Sequence, residues 1–407
     1  MDQPQHSHIS KKASARIISL DALRGFDMFW IICGEYIFHG IANGIMSTHS
    51  LTRNPIDWQI ATTNDLSFWE QIAIGISNQL HHTPWNGFTF YDMIFPLFIF
   101  IAGVSMPFSF NNQMGNAGIN KAIARKNIYR SLIKRTIILL LLGMMVNGAL
   151  QFQEYENTRF ASVLGRIGLS CFFAAIIYLN CSLRNQLIWF AVLLFVYWAA
   201  MLLIPVPGFG AGVLTAEGNL SAYIDRILLP GKIHRTIYDP EGLLSTIPAI
   251  GSAMLGIFTG QFLQWSSVKW NKVKKTITLL AAGLVLLVAG LTWDILFPIN
   301  KNMWTSSFVL YAGGWSMMLF ATFYYIIDVA GFKKWSLPFV WIGCNSILIY
   351  MAAHGLINFE SASQFLFGGL ISNTAKVWHF ALLWIGVAAI QFSLLYFLYK
   401  RKWFLKI

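Results

Sequence analysis

Charge is what this sequence has least of. Only 11% of its 407 residues are Asp, Glu, Lys or Arg, against about 25% in an ordinary soluble chain. At that density there is too little polar surface to cover a water-soluble fold of this length. Cysteine is sparse as well. Cys33, Cys171, Cys181 and Cys344 lie in or beside apolar runs, with no Cys-x-x-Cys or Cys/His spacing, so they read as small buried hydrophobes and no metal site is expected. No low-complexity tract and no convincing internal repeat appears, which gives no support to a repeat-built transporter. Residues 1–17 are polar and basic and lack a compact apolar core with a cleavage site, so no cleaved signal peptide is expected.

What is present is apolar and aromatic. Hydrophobic residues make up 56% of the chain, with 33 Phe and 16 Trp. Mean hydropathy is +0.56. Runs long enough to span a bilayer, roughly 20 residues each, fall at 24–44, 90–110, 132–150, 161–180, 187–204, 243–264, 276–297, 305–328, 337–353 and 379–399. Residues 361–372 read as a re-entrant or interfacial piece.

The formal charge is +12, which in a soluble protein would suggest nucleic acid. Here the cations sit between apolar runs. With the N-terminus inside, inside segments hold 20 Lys and Arg, among them Lys121, Arg125, Lys126, Arg130, Lys134 and Arg135, and outside segments hold 7. That alternation follows the positive-inside rule, and no nucleic-acid partner is expected. The expected fold is all-α: a polytopic membrane helix bundle of about ten transmembrane helices, N-in/C-in. A tail covers 1–17, one transmembrane domain covers 18–407, and the longest outside loops lie near 45–89 and 205–242.

Polar groups inside apolar runs are costly and usually face the bundle interior. Asp21 and Arg24 open the first run three residues apart and can pair on one helical face. Glu35 sits mid-run with no charged neighbour in sequence, so it must be neutral, paired or facing water. His81 and His82 stand just before a run whose first turn carries Asp92. An acid there suits the helix dipole, and it can orient a histidine ring. An interfacial His–Trp anchor with Asp92 as a cap accounts for the same pattern. Asp239 and Glu241 precede a later run and are candidates to bind substrate, although acids there also cap helices. Lys301 occupies a short outside loop, suited to contact substrate or to snorkel. His354 closes the ninth run on the outside face and is expected to line the same substrate cavity, while His39 and His379 read as structural.

The pieces LDALRG (20–25), HTPWNG (82–87), DMIFPLFIFIAG (92–103), DPEGLLSTIPAI (239–250), NKNMWTSSFVL (300–310) and CNSILIYMAAH (344–354) resemble, in order and approximate spacing, heparan-α-glucosaminide N-acetyltransferase and its bacterial relatives. The resemblance starts near residue 18. Without the extra N-terminal span and lumenal extension of the animal enzyme, the chain looks like a bacterial member, in an inner membrane. The resemblance implies an acyltransferase that passes an acetyl group from cytosolic acetyl-CoA to an amino sugar or related glycan across the membrane. It puts the catalytic histidine at His82, not His81, with Asp92, Trp85 and Asn86 as its motif companions. Glu35 stands where the animal enzyme has an asparagine. A carboxylate differs from an amide in charge and hydrogen bonding, which leaves the acceptor open.

The chemistry fits these residues. An amine must lose a proton to attack a thioester, and histidine is suited as the base. His82 as an acyl acceptor in a ping-pong scheme stays open, although direct attack is favoured. Asn86 or Asn345 is suited to donate to the oxyanion. Arg24, Arg125, Arg130, Lys134 and Arg135 lie on the side where acetyl-CoA would arrive, and Arg suits its phosphates; topology alone also accounts for them. Transport of an amino sugar such as N-acetylglucosamine is the alternative function. Membrane lipid is an implied partner, and a homodimer is left open.

Overall fold

The computed structural model describes residues 17–405 apart from 57, 64, 117–119, 152–153 and 268–269. The tail expected over 1–17 therefore lies, but for Ile17, outside the described residues, as do Lys269 and Lys406. The described chain is helical, with isolated β-bridges and no strand among the described residues.

In chain order the helices are α1 (Ile18–Phe29), α2 (Glu35–Thr48), α3 (Phe68–Gln79), α4 (Phe90–Asn116), α5 (Lys121–Val146), α6 (Val163–Asn180), α7 (Leu183–Leu203), α8 (Leu220–Leu228), α9 (Thr246–Gln264), α10 (Lys272–Asp294), α11 (Ser306–Tyr324), α12 (Leu337–Cys344), α13 (Ser346–Met351), α14 (Phe359–Ser372) and α15 (His379–Lys400). One π-helical turn, Trp30–Gly34, joins α1 to α2, and another, Ala352–Leu356, follows α13.

Among the described residues, seven helices are long and apolar enough to cross a membrane: α4, α6, α7, α9, α10, α11 and α15. The pair α12–α13, bent by 67°, makes an eighth if it counts as one broken span. The run at 24–44 is helical but is interrupted by the π turn and carries Asp27 and Glu35. The run at 132–150 is the apolar half of α5, whose first half is basic. The piece at 361–372 lies on α14, a separate helix packed against α15.

The core is one large apolar cluster running through α1, α4, α6, α9 and α11. Small residues let backbones approach, as in membrane helix pairs generally. A Cβ on Gly256 of α9 would lie 2.0 Å from the Phe100 carbonyl oxygen of α4, and one on Gly103 would lie 2.2 Å from the Ala253 carbonyl oxygen. Close packing of this kind supports α4 through its two internal prolines, Pro96 and Pro107.

α4 and α11 start beside the site described below and run away from it. In the π turn Tyr325–Val329 that follows α11, Asp328 accepts hydrogen bonds from the backbone amides of Ile18 (3.3 Å) and Ser19 (3.0 Å), an acid placed on the positive end of α1. The C-terminal segment returns to the same end. Asn345 Nδ2 donates to the Trp403 carbonyl (3.0 Å), and Leu405 N donates to Asn345 Oδ1 (3.0 Å). The first and last described residues thus share the end of the bundle opposite His82.

Candidate active site

The site is built on the first turn of α4. Thr89 precedes the helix, and Asp92 at its third position reaches back to accept from Thr89 N (3.2 Å), half of a capping box. Its Oδ2 also accepts from Thr89 Oγ1 (3.2 Å), Thr83 N (3.3 Å) and Thr83 Oγ1 (3.1 Å). Asp92 is fully buried. Its remaining oxygen, Oδ1, lies 2.8 Å from His82 Nδ1. A carboxylate held this way fixes the tautomer with the proton on Nδ1 and leaves the Nε2 lone pair available as a base.

The loop carrying His82 is fastened on both sides. Gly87, with φ at +114°, donates its amide to the Ile299 carbonyl (2.8 Å). Asn300 Nδ2 donates to Asn86 Oδ1 (3.0 Å), which turns the Asn86 NH2 group away from that bond. Trp85 donates from Nε1 to the Leu214 carbonyl (2.9 Å) and packs edge-on against Tyr238. The loop following α10 is thereby latched to this one and brings Lys301 to the ring.

Lys301 Nζ lies 3.0 Å from His82 Nε2, 3.1 Å from Nδ1 and 3.8 Å from Asp92 Oδ1. The lysine side chain is mostly covered, while that of His82 is 46% exposed. Burial and the Lys301 cation push the His82 pKa below its ordinary value, against an upward pull from Asp92. Burial also lowers the Lys301 pKa, while Asp92, Glu241 and Glu35 hold it up. A neutral imidazole beside an ammonium results: a base next to a group able to face developing negative charge.

Behind the ring lies a second set of polar groups. The Tyr91 ring is 4.7 Å from that of His82. The phenols of Tyr91 and Tyr36 both interact with the Glu35 carboxylate, which is also within electrostatic reach of Lys301. The π turn immediately before Glu35 resets the helical phase at this position, as such turns often do near functional groups.

Other residues singled out in the sequence are placed apart from His82. Asp239 is buried and bonded to Arg159, whose Nε donates at 2.9 Å and Nη2 at 2.5 Å, and to the amides of His234 and Glu241. Burial pushes the Asp239 carboxyl up, but Arg159 and these amides outweigh it and hold it below its ordinary range. Glu241 also bonds Arg159 and stays within electrostatic reach of Lys301. Asp239 and Glu241 thus anchor a loop through Arg159. Asn345 holds the C-terminal segment and does not meet the site. His354 Nδ1 bonds the Tyr350 carbonyl (3.1 Å) and lines a separate cavity.

The basic residues at the opposite end separate by direction. Arg24 pairs with Asp21 at 3.3 Å. Arg125 donates to the Leu179 carbonyl (3.0 Å) and Asn180 Oδ1 (2.6 Å), tying α5 to the end of α6. Arg130 and Lys134 line an open apolar groove with Lys126 on the outward side of α5. Arg135 lines a cavity inside the bundle, about 180 Å³ in volume, with Ser105, Ser109 and Thr136.

No family model matches the chain. Heparan-alpha-glucosaminide N-acetyltransferase of Mus musculus is 27% identical over 394 residues, covering 80% of this chain and 56% of the relative. That of Homo sapiens is 26% identical over 389 residues, covering 80% and 55%. The chain is a relative of these N-acetyltransferases. It spans about half the length of the curated relatives it matches.

Sequence reasoning missed several residues around His82. Thr83 and Thr89 bracket the His82 loop and bond Asp92. Their hydroxyls inside a His-to-Asp stretch were the available signal. Tyr91, adjacent to Asp92, touches both His82 and Glu35. Arg159 gave no signal, because its partners lie 80 and 82 residues away.

Proposed function

We propose that this protein is a membrane-embedded acyltransferase that moves an acetyl group from acetyl-CoA at the cytoplasmic face to an amino sugar or related glycan on the other face. The proposal sets it in a bacterial inner membrane, with about ten spans, both ends cytoplasmic and His82 on the periplasmic side. The observation that carries the reading is the His82–Asp92 bond with Lys301 against the ring, in a relative of N-acetyltransferases. The shared end of the first and last described residues, opposite His82, supports the topology.

In this mechanism the neutral acceptor amine attacks the thioester carbonyl carbon. His82 Nε2 takes the amine proton. The tetrahedral oxyanion meets the Lys301 ammonium and the Asn86 NH2 group. Collapse breaks the C–S bond, and the imidazolium returns its proton to the departing thiolate. Glu35 holds the acceptor beside the base. Arg135 receives a phosphate of acetyl-CoA.

A row of cavities supports a passage for the acyl carrier. The Arg135 cavity shares Ile167 with a small cavity of about 40 Å³. That one shares Ile31 with a cavity of about 490 Å³ beside Tyr36, into which the passage opens on the acceptor's side. Transport of the sugar is not favoured, since both matched relatives are transferases.

The test supplies purified protein with acetyl-CoA and glucosamine and follows free thiol. Release that disappears in His82→Ala supports the reading. No release across a panel of amines and hydroxylated sugars, with sugar flux into proteoliposomes, sinks it.

A further inference from the structure

A cavity of about 490 Å³ lies between the π turn Trp30–Gly34, the π turn Ala352–Leu356 and α15. Its volume falls in the range of about 300–1,000 Å³ common for small-ligand pockets. Both walls are distorted. His354 and Gly355 leave helical geometry altogether. Non-helical backbone at membrane depth persists where it is buried in protein or lines a wet cavity.

The polar groups in this cavity are incomplete. Gln391 is 1% exposed. Its Nε2 donates to the Ile32 carbonyl (3.4 Å) in the first π turn, but its Oε1 is buried and bonds nothing among the described residues. Trp384 Nε1 is also buried without a partner among them. Gln391 and Trp384 both line this cavity, so an orphaned acceptor and an orphaned donor lie in its wall, and an unmet buried polar group is costly. The Trp384 ring stacks on Tyr36 with centroids 4.0 Å apart and planes 13° apart, forming an aromatic shelf. Asn358 and the Glu360 carboxylate stand at the exposed rim.

We propose that this cavity is the subsite that holds the pyranose ring of an amino-sugar acceptor. The assignment rests on the transferase reading above. Ring hydroxyls both donate and accept, so one sugar answers Gln391 Oε1 and Trp384 Nε1 together. The aromatic shelf suits the apolar face of a pyranose. Glu360 disfavours anions and favours a ligand bearing an ammonium. Tyr36 belongs to both places: it lines the cavity, and its phenol interacts with Glu35. A ring lodged there directs its amine toward Glu35, Tyr91 and Lys301.

The experiment measures equilibrium binding of glucosamine and of CoA to the full protein without acetyl-CoA, so that nothing turns over. The variants are Gln391→Leu and Trp384→Phe, each checked for an unchanged melting temperature. Each should weaken glucosamine binding by about tenfold, the loss of one hydrogen bond, and leave CoA binding unchanged. In turnover the same variants should raise KM for glucosamine and not for acetyl-CoA. Failure of the native protein to bind glucosamine overturns the subsite. So does unchanged glucosamine binding in both folded variants, or loss of CoA binding in its place. Thiol release with unaltered KM in both variants removes the subsite and leaves the transferase standing. Gln391-dependent sugar binding with no thiol release does the reverse.

Discussion

Lys301 Nζ stands 3.0 Å from His82 Nε2, although the two residues are 219 positions apart in sequence. A cation at that range disfavours the imidazolium and holds the pKa of His82 below 6.5. Only the neutral ring serves as base. Expressed per neutral amine present at each pH, activity should therefore persist as pH falls past 6.5 and disappear lower, through the pKa of the folded protein. Lys301→Met removes one lowering cause and should move the acid limb of kcat/KM to higher pH. It should also cost roughly 10²–10³ in kcat if the ammonium faces the oxyanion. A limb that stays in place, read by thiol release between about pH 4.5 and 8, rejects the role.

His82→Ala should lower kcat by on the order of 10²–10⁴, the usual worth of a positioned base. Protein incubated with acetyl-CoA alone should carry no acetyl group on His82 by mass spectrometry. An adduct there would replace direct attack with a ping-pong route.

Arg135 and its neighbours offer a test of direction. Arg135→Gln should raise KM for acetyl-CoA by roughly 10- to 100-fold, the loss of a charge-assisted bond to phosphate. Arg130→Gln and Lys134→Gln, which alter the outward groove, should leave it unchanged. Equal effects at all three would mean that the charge of the face matters and the inner cavity does not.

Arg159 holds a fully buried Asp239 carboxylate. Arg159→Ala should destabilise the protein by about 3–5 kcal/mol, as when one partner of a buried pair is removed. The folded pKa of Asp239 lies below 3.8. Its contribution is therefore complete above that unfolded value and is lost as pH falls through the folded one. Thermal unfolding in detergent at neutral pH should show the drop, and an unchanged midpoint would contradict it.

Gly256→Val places side-chain atoms against the Phe100 carbonyl and forces α9 away from α4. A cost of about 1–3 kcal/mol or more is expected, with a lower melting temperature and a broader size-exclusion peak. Because α4 carries Asp92, activity should fall with it.

The helical class was legible because apolar runs of spanning length need only composition and length to be seen. The contact between His82 and Asp92 was legible too, since both flank one helix start. Direction was not. Lys134 and Arg135 are consecutive, yet one faces outward and the other a cavity; only the packing of α5 on α4 and α6 decides which. The π turns were hidden because their residues are as apolar as their neighbours. Asp239 read as a substrate-binding or capping acid because its partner, Arg159, comes from another loop. Asn345 read as a donor near the site because nothing in sequence reveals its bonds to Trp403 and Leu405.

The latch between the His82 loop and the loop after α10 has a consequence for biogenesis. Synthesis delivers the imidazole and its acid early, and the ammonium more than two hundred residues later. A chain halted before the end of α10 holds His82 and Asp92 but lacks one of the influences that keep the ring neutral. The reactive arrangement thus comes into being only when most of the helices have been inserted, so an unfinished chain carries no finished centre.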